Sequence, residues 1–120
     1  VGNKIPFADE KIKMKSALNI LSEKKLGILI IRNKNKKTIG IITDGQIRRY
    51  NEKNSDLHNK NAKDVMTTKP ISVDKNILAA KALSIMNNKK ITSLCVHDKK
   101  SKNVTIGVLH VHNILQSNIT

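Results

Sequence analysis

Ala17-Leu18-Asn19-Ile20-Leu21, followed by Lys24-Lys25, returns later in the chain as Ala82-Leu83-Ser84-Ile85-Met86, followed by Lys89-Lys90. Further on, Ile39-Gly40-Ile41-Ile42-Thr43 returns as Ile106-Gly107-Val108-Leu109-His110. Two matched blocks in the same order make the chain two copies of one supersecondary unit. A ligand site is then expected where the copies meet.

Each block sits in a readable frame. Met14, Ala17, Leu18 and Leu21 fall at i, i+3, i+4 and i+7 and mark one face of an amphipathic helix. Ala79, Ala82, Leu83 and Met86 repeat that face at the same interval. Gly27 ends the first helix or lies just beyond it. Ile28-Leu29-Ile30-Ile31 is a continuous aliphatic run, expected of a strand buried on both faces. The polar turn Asn33-Lys34-Asn35-Lys36-Lys37 and the strand Thr38 to Thr43 complete a hairpin. Asp44 is placed to cap a helix running to about Tyr50.

The polar stretch from Asn51 to Lys63 reads mostly as linker, and Asp64-Val65-Met66 as a short helix opening the second copy. Leu94-Cys95-Val96 is then the second buried strand, and Val104 to Leu109 its hairpin partner across a longer turn. A last helix is expected from about Val111 to Gln116. Phe7-Ala8-Asp9 and Ser72-Val73-Asp74 are the matching apolar entries, with Asp9 and Asp74 as candidate helix caps. Each copy therefore reads β-α-β-β-α, an α+β unit. The first copy with its linker spans residues 1–60 and the second 61–120. The two half-domains are expected to form a pseudo-twofold pair, packed through their helices around a common core.

Composition sets limits. The chain has 120 residues, of which 38% are hydrophobic, enough for a small core. Phe7 and Tyr50 are its only aromatics besides histidine, so that core must be aliphatic. No apolar run approaches the roughly 20 residues of a membrane span, and there is no signal-peptide pattern. Cys95 is alone, so no intrachain disulfide can form and a cytoplasmic location is expected. The chain opens on Val1, as expected of a fragment excised from a longer protein.

The net charge of +14 invites a nucleic-acid reading. Several features argue against it. The lysines are spread along the chain rather than gathered, and Lys, Asn and Ile together are what an A/T-rich genome favours. The scarcity of aromatics leaves almost no stacking platform for single strands. A basic surface should still attract phosphorylated or carboxylated ligands, with a strength that salt weakens.

A β-α-β-β-α repeat whose last strand reads Gly-hydrophobic-hydrophobic-Thr into a helix resembles the cystathionine-β-synthase-type (CBS) domain pair. That module senses adenosyl nucleotides and related ligands. Gly40-Ile41-Ile42-Thr43-Asp44-Gly45-Gln46-Ile47-Arg48-Arg49, then Asp64-Val65-Met66-Thr67 and Pro70, then Gly107-Val108-Leu109-His110-Val111-His112-Asn113-Ile114-Leu115, is similar to the C-terminal module of bacterial arabinose-5-phosphate isomerases of the KdsD/KpsF type. The resemblance implies an N-terminal sugar-isomerase domain in the parent chain. That domain interconverts ribulose 5-phosphate and arabinose 5-phosphate for Kdo, and so for lipopolysaccharide or capsule synthesis. It also implies a homodimer of pairs and a nucleotide or sugar-nucleotide ligand.

The nucleotide signature of such pairs has Asp three residues after the Thr, where its carboxylate accepts both ribose hydroxyls. Here those positions are Gln46 and Asn113, and the second Thr position is His110. An amide offers one acceptor oxygen and adds donors, and it loses the charge-assisted pairing. A plain adenosine phosphate is therefore disfavoured against a sugar nucleotide such as CMP-Kdo, the pathway end product.

The candidate ligand-binding residues are Thr43, Asp44, Gln46, Arg48, Arg49, Ser72, His110, His112 and Asn113. Thr43, Asp44 and Gln46 sit where a strand feeds a helix, whose N-terminus suits a phosphate. The competing role there is simple capping. Arg48 and Arg49 can clamp a phosphate or carboxylate, or merely face solvent or a partner domain. His110 and His112 have metal-like spacing but no evident third ligand, so no metal is expected. A pH-sensitive contact to a ligand suits His110 better. Cys95 is read as a small core side chain. No catalytic residues are assigned: no Ser/His/Asp or Cys/His triad and no Walker-type loop is apparent. The rival readings are a structural oligomerisation module without a ligand, a nucleotide-sensing pair from another parent, and a nucleic-acid binder.

Overall fold

A computed structural model describes residues 5–24 and 27–112 of the chain. It divides into two compact units, Val1–Lys69 and Pro70–Thr120.

In the first unit, strand β1 (Phe7–Asp9) leads into helix α1 (Met14–Lys24), which returns the chain to β2 (Ile28–Arg32). β1 and β2 are parallel, as a strand-helix-strand crossover requires. β2 then pairs antiparallel with β3 (Thr38–Thr43). Helix α2 (Asp44–Lys53) follows, then a 3-10 turn at Leu57–Asn59, helix α3 (Ala62–Val65) and the short strand β4 (Thr67–Thr68). β4 adds to the outer side of β3, giving the sheet order β1-β2-β3-β4.

Of the helical stripe read from the sequence, Met14, Ala17 and Leu21 are buried in one cluster with Leu29, Ile31 and Ile42, and Leu18 is half-buried against it. Ile28 and Ile30, on the alternate face of β2, are buried as well, so the aliphatic run is indeed covered on both sides.

The second unit repeats the plan with β5 (Ser72–Asp74), α4 (Ala79–Lys89), β6 (Ser93–Asp98) and β7 (Ser101–His110), in sheet order β5-β6-β7. It has its own buried cluster of Val73, Ala82, Met86 and Leu94. Both hairpins carry the same irregularity. Ile31 pairs with Gly40 and Arg32 with Thr38, so Ile39 is an extra residue. Val96 pairs with Gly107 and His97 with Thr105, so Ile106 is extra in the same way. The duplication has kept a β-bulge beside each of these glycines.

Several expectations are corrected. The stretch taken as linker is ordered: α2 runs on to Lys53, and Leu57 is only 2% exposed within the first core. The Met14 N–H donates to the Lys60 carbonyl and the Ala62 N–H to that of Ile12, tying this segment to the start of α1. Residues 61–69 open the second sequence repeat yet belong to the first compact unit. The β6–β7 turn is short, because β7 already begins at Ser101 and pairs it with Asp98. Asp9 and Asp74 are not helix caps. Each accepts the backbone N–H two residues on, from Lys11 and Asn76, well ahead of α1 and α4. The last expected helix lies outside the described residues beyond Val111 and His112. Among the described residues no helix is long and apolar enough to cross a membrane.

Gly40 and Gly107 are equivalent in sequence but not in surroundings. A Cβ on Gly40 would stand 2.5 Å from Met66 Sδ and 3.0 Å from the Thr67 carbonyl oxygen. On Gly107 it would meet only Val96 Cβ, at 3.8 Å. Gly40→Ala should therefore cost about 1–3 kcal/mol by overpacking, whereas Gly107→Ala should stay within about 0.5 kcal/mol of the parent. Urea denaturation of the two variants side by side checks this.

Candidate functional site

The β3–α2 junction is built by its own residues. Thr43, in extended conformation, is the N-cap of α2, rather than Asp44. Its Oγ1 accepts the Gln46 N–H at 3.2 Å, and Gln46 Oε1 accepts the Thr43 N–H at 3.4 Å, a capping box. Gln46 Nε2 donates in turn to the Val65 carbonyl at the end of α3. Both ends of the Gln46 amide are thus engaged inside the first unit. An aspartate at this position would lack the donor and the reach.

Asp44 is exposed in the first turn of α2, where the helix dipole favours a carboxylate. Its N–H donates to the Gly27 carbonyl at 3.1 Å, and Gly27 takes a left-handed φ of 72° at the start of β2. Arg48 and Arg49 are both exposed. The Arg49 guanidinium folds back over Gly45, Nη1 lying 3.3 Å from where a Cβ would be. Arg49 and Gln46 share an open groove of about 540 Å³ with Tyr50, Lys53 and Val65, and Arg48 is not among its lining residues.

The equivalent junction of the second unit has the same backbone tie, the Val111 N–H donating to the Thr92 carbonyl at 2.8 Å. Its side chains differ. His110 Nδ1 accepts the His112 N–H at 3.2 Å, and the two rings stack with centroids 4.8 Å apart. Partial burial, and secondarily the nearby His112, holds the His110 imidazole below the ordinary histidine range. Asn113 lies outside the described residues. Among the described residues no group of three or more His, Cys, Asp or Glu side chains is placed to hold a metal ion.

Ser72 is committed elsewhere: its Oγ lies 2.6 Å from Nδ1 of His97 on the neighbouring strand. His97 drew no attention in the sequence, yet it is only 9% exposed. The repeat itself held the signal, because Ser72 and His97 occupy the register positions of Phe7 and Arg32. Cys95 is buried, and burial pushes its thiol up to about 11 against a smaller opposing hydrogen bond with Thr105. It is a core side chain rather than a nucleophile.

The family model described as "CBS domain" matches residues 2–53 and 62–118. Uncharacterized protein RP505 of Rickettsia prowazekii is 33% identical over 99% of this chain and 36% of its own length. Arabinose 5-phosphate isomerase KdsD of Yersinia pestis is 36% identical over 98% of the chain and 35% of the enzyme. The chain thus spans about a third of the length of these curated relatives. In fold it is similar to the CBS-domain protein ATU1752 from Agrobacterium tumefaciens, with a TM-score of 0.86, 13% identity, and 98% and 91% of the two chains covered. The CBS pair of MJ0100 in complex with 5'-methylthioadenosine and S-adenosyl-L-methionine gives 0.84, at 20% identity over 98% and 90%. The CBS protein PAE2072 from Pyrobaculum aerophilum, complexed with AMP, gives 0.83, at 18% identity over 98% and 92%.

Gln46→Ala removes the bond to Val65 and half of the capping box, and should destabilise by about 1–2 kcal/mol. Gln46→Glu keeps the acceptor for the Thr43 N–H but loses the donor, so denaturation should find it weakened too. The His110 titration should have its midpoint below about 6.5. A histidine whose folded pKa is depressed contributes stability that is complete above its unfolded value and is lost as pH falls through the folded one. NMR titration of the His110 ring checks the midpoint.

Proposed function

This chain belongs to the CBS-domain family, and we propose that it is the ligand-sensing regulatory pair of an arabinose-5-phosphate isomerase, performing no chemistry itself. The observation that carries this reading is the 36% identity to the Yersinia pestis enzyme over 98% of the chain. In this reading the parent's sugar-isomerase domain lies outside the chain, the protein is cytoplasmic, and the pairs associate as a homodimer. The sequence repeats 1–60 and 61–120 are its two CBS copies, in keeping with family-model matches that begin at residues 2 and 62.

The ligand class is an adenosine nucleotide or a CMP-sugar such as CMP-Kdo. Solved pairs of this fold hold AMP, 5'-methylthioadenosine and S-adenosyl-L-methionine, which supports a nucleotide in general. The β3–α2 junction supports a phosphate through the positive dipole end of α2, the Asp44 and Gln46 N–H groups being engaged by Gly27 and Thr43. Thr43, Asp44, Gln46, Arg48, Arg49, Ser72, His110, His112 and Asn113 are the residues proposed to receive the ligand. Gln46 and Ser72 must give up internal hydrogen bonds to do so, at a cost in affinity. That cost favours a ligand with contacts beyond a plain ribose phosphate. Regulation then follows from differential affinity: a ligand that prefers one arrangement of the pair shifts the population that the catalytic domain feels.

A second reading, a structural module with no physiological ligand, is favoured by one observation. The Gln46 amide is fully used in holding α2 to α3. One screen separates the two. The chain is melted with AMP, ATP, CMP, CMP-Kdo, S-adenosylmethionine and arabinose 5-phosphate, and stabilising ligands are confirmed by calorimetry. A true ligand at a hundredfold excess over its Kd should stabilise by about 2.7 kcal/mol. No shift with any of them rejects sensing in favour of the structural module.

A further inference from the structure

At the other end of the first sheet, away from the β3–α2 junction, Arg32 closes strand β2 with its guanidinium carbon 3.7 Å from the centre of the Phe7 ring. At that distance the guanidinium makes a cation–π contact with the ring face. Among the described residues no carboxylate pairs with it: the ion pairs are Lys60–Asp56, Lys63–Glu10 and Lys75–Asp98. Asp9, opposite Arg32 in the strand register, instead accepts the Lys11 N–H. Arg32 lines a pocket of about 270 Å³ together with Phe7, Asp9, Asn33, Lys34 and Lys36.

The turn that carries the lysines is held rigid. Asn33 Oδ1 accepts the N–H groups of Asn35 and Lys37, each at 3.0 Å, and the Asn33 N–H donates to the Lys37 carbonyl. Within it Lys36 is left-handed, with φ 64°, a conformation in which glycine or asparagine is ordinary and lysine is strained. Lys69 and Lys90 are left-handed in the same way elsewhere in the chain, so what marks Lys36 is its place beside an arginine with an aromatic platform and, among the described residues, no ion-pair partner. The second copy has Ser72 and His97 at the positions of Phe7 and Arg32, joined to each other. The feature is therefore peculiar to the first unit and is not a requirement of the fold.

We propose that Arg32, Lys34 and Lys36 form an anion site for a small phosphate ester, separate from the junction of Thr43 and Gln46. A guanidinium edge fits a phosphoryl group in bidentate fashion, and flanking ammonium groups complete its neutralisation. The volume lies just below the usual range for ligand pockets, so a phosphorylated sugar suits it better than a dinucleotide. The proposal does not depend on the sensing role of the junction.

The test is an NMR titration of the full ¹⁵N-labelled chain with inorganic phosphate, ribose 5-phosphate and ribose. Both phosphates should shift the amides of residues 32–37 saturably, and ribose should not. Tighter binding of ribose 5-phosphate identifies an ester as the ligand, and equal binding identifies phosphate itself. Arg32→Gln should weaken binding about tenfold, with peak dispersion in the same spectra reporting the fold. Lys36→Gly relieves the strained φ, so it should raise the melting temperature while weakening binding severalfold. Shifts that do not saturate, that spread over the surface lysines, or that survive Arg32→Gln overturn the proposal. Wild-type affinity in Lys36→Gly does so as well.

Discussion

The hydrogen bond from the Gln46 amide to the Val65 carbonyl is the tie on which the first unit depends. Gln46 belongs to the first turn of α2 and Val65 to the end of α3, so one side chain joins the two ends of the ordered segment between them. Just beyond Val65 the chain passes Gly40 so closely that a Cβ there would crowd the Met66 side chain and the Thr67 carbonyl, and Thr67–Thr68 then pair with β3. A Cβ on Gly40 would force the Met66 side chain to shift. Without the amide donor the end of α3 would leave a carbonyl unpaired. They add to the burial of Leu57, Ala62 and Val65 in holding this segment on the sheet.

This tie bears on function. At the junction where a phosphate is proposed to bind, Thr43 caps the helix and Gln46 is saturated by internal partners. The corresponding histidines of the second unit stack on each other and share a backbone hydrogen bond. The copies thus share a backbone scaffold, Asp44 to Gly27 and Val111 to Thr92, and differ in the chemistry mounted on it. The corresponding side chains give the two junctions different chemistry. The same divergence appears at the other end of the sheets, where a stacked arginine stands in one copy and a Ser–His pair in the other.

Much was legible in the sequence, and for definite reasons. The helical stripe of Met14, Ala17 and Leu21 and the run Ile28 to Ile31 follow directly from the period of side-chain burial, and both are buried as read. The paired Ile-Gly motifs announced equivalent strands, though not the bulges beside them. Residues 51–63 were misjudged because their order comes from contacts distant in sequence. One buried leucine, Leu57, and backbone pairing to residues 12–14 outweigh a composition that reads as linker.

The sequence by itself determined the duplication, the order of the elements up to the second hairpin and the aliphatic make-up of the core, because periodicity and repetition are properties of the string. The tertiary structure alone decided where the duplicated string divides into compact units. It assigned residues 61–69 to the first of them, since only spatial neighbours can supply the partners of Val65 and Thr67. It also decided which polar side chains are already engaged: Gln46 with Val65, Ser72 with His97, and Arg32 over the Phe7 ring. A residue's type states what bonds it can make, and only the fold shows which of them are taken.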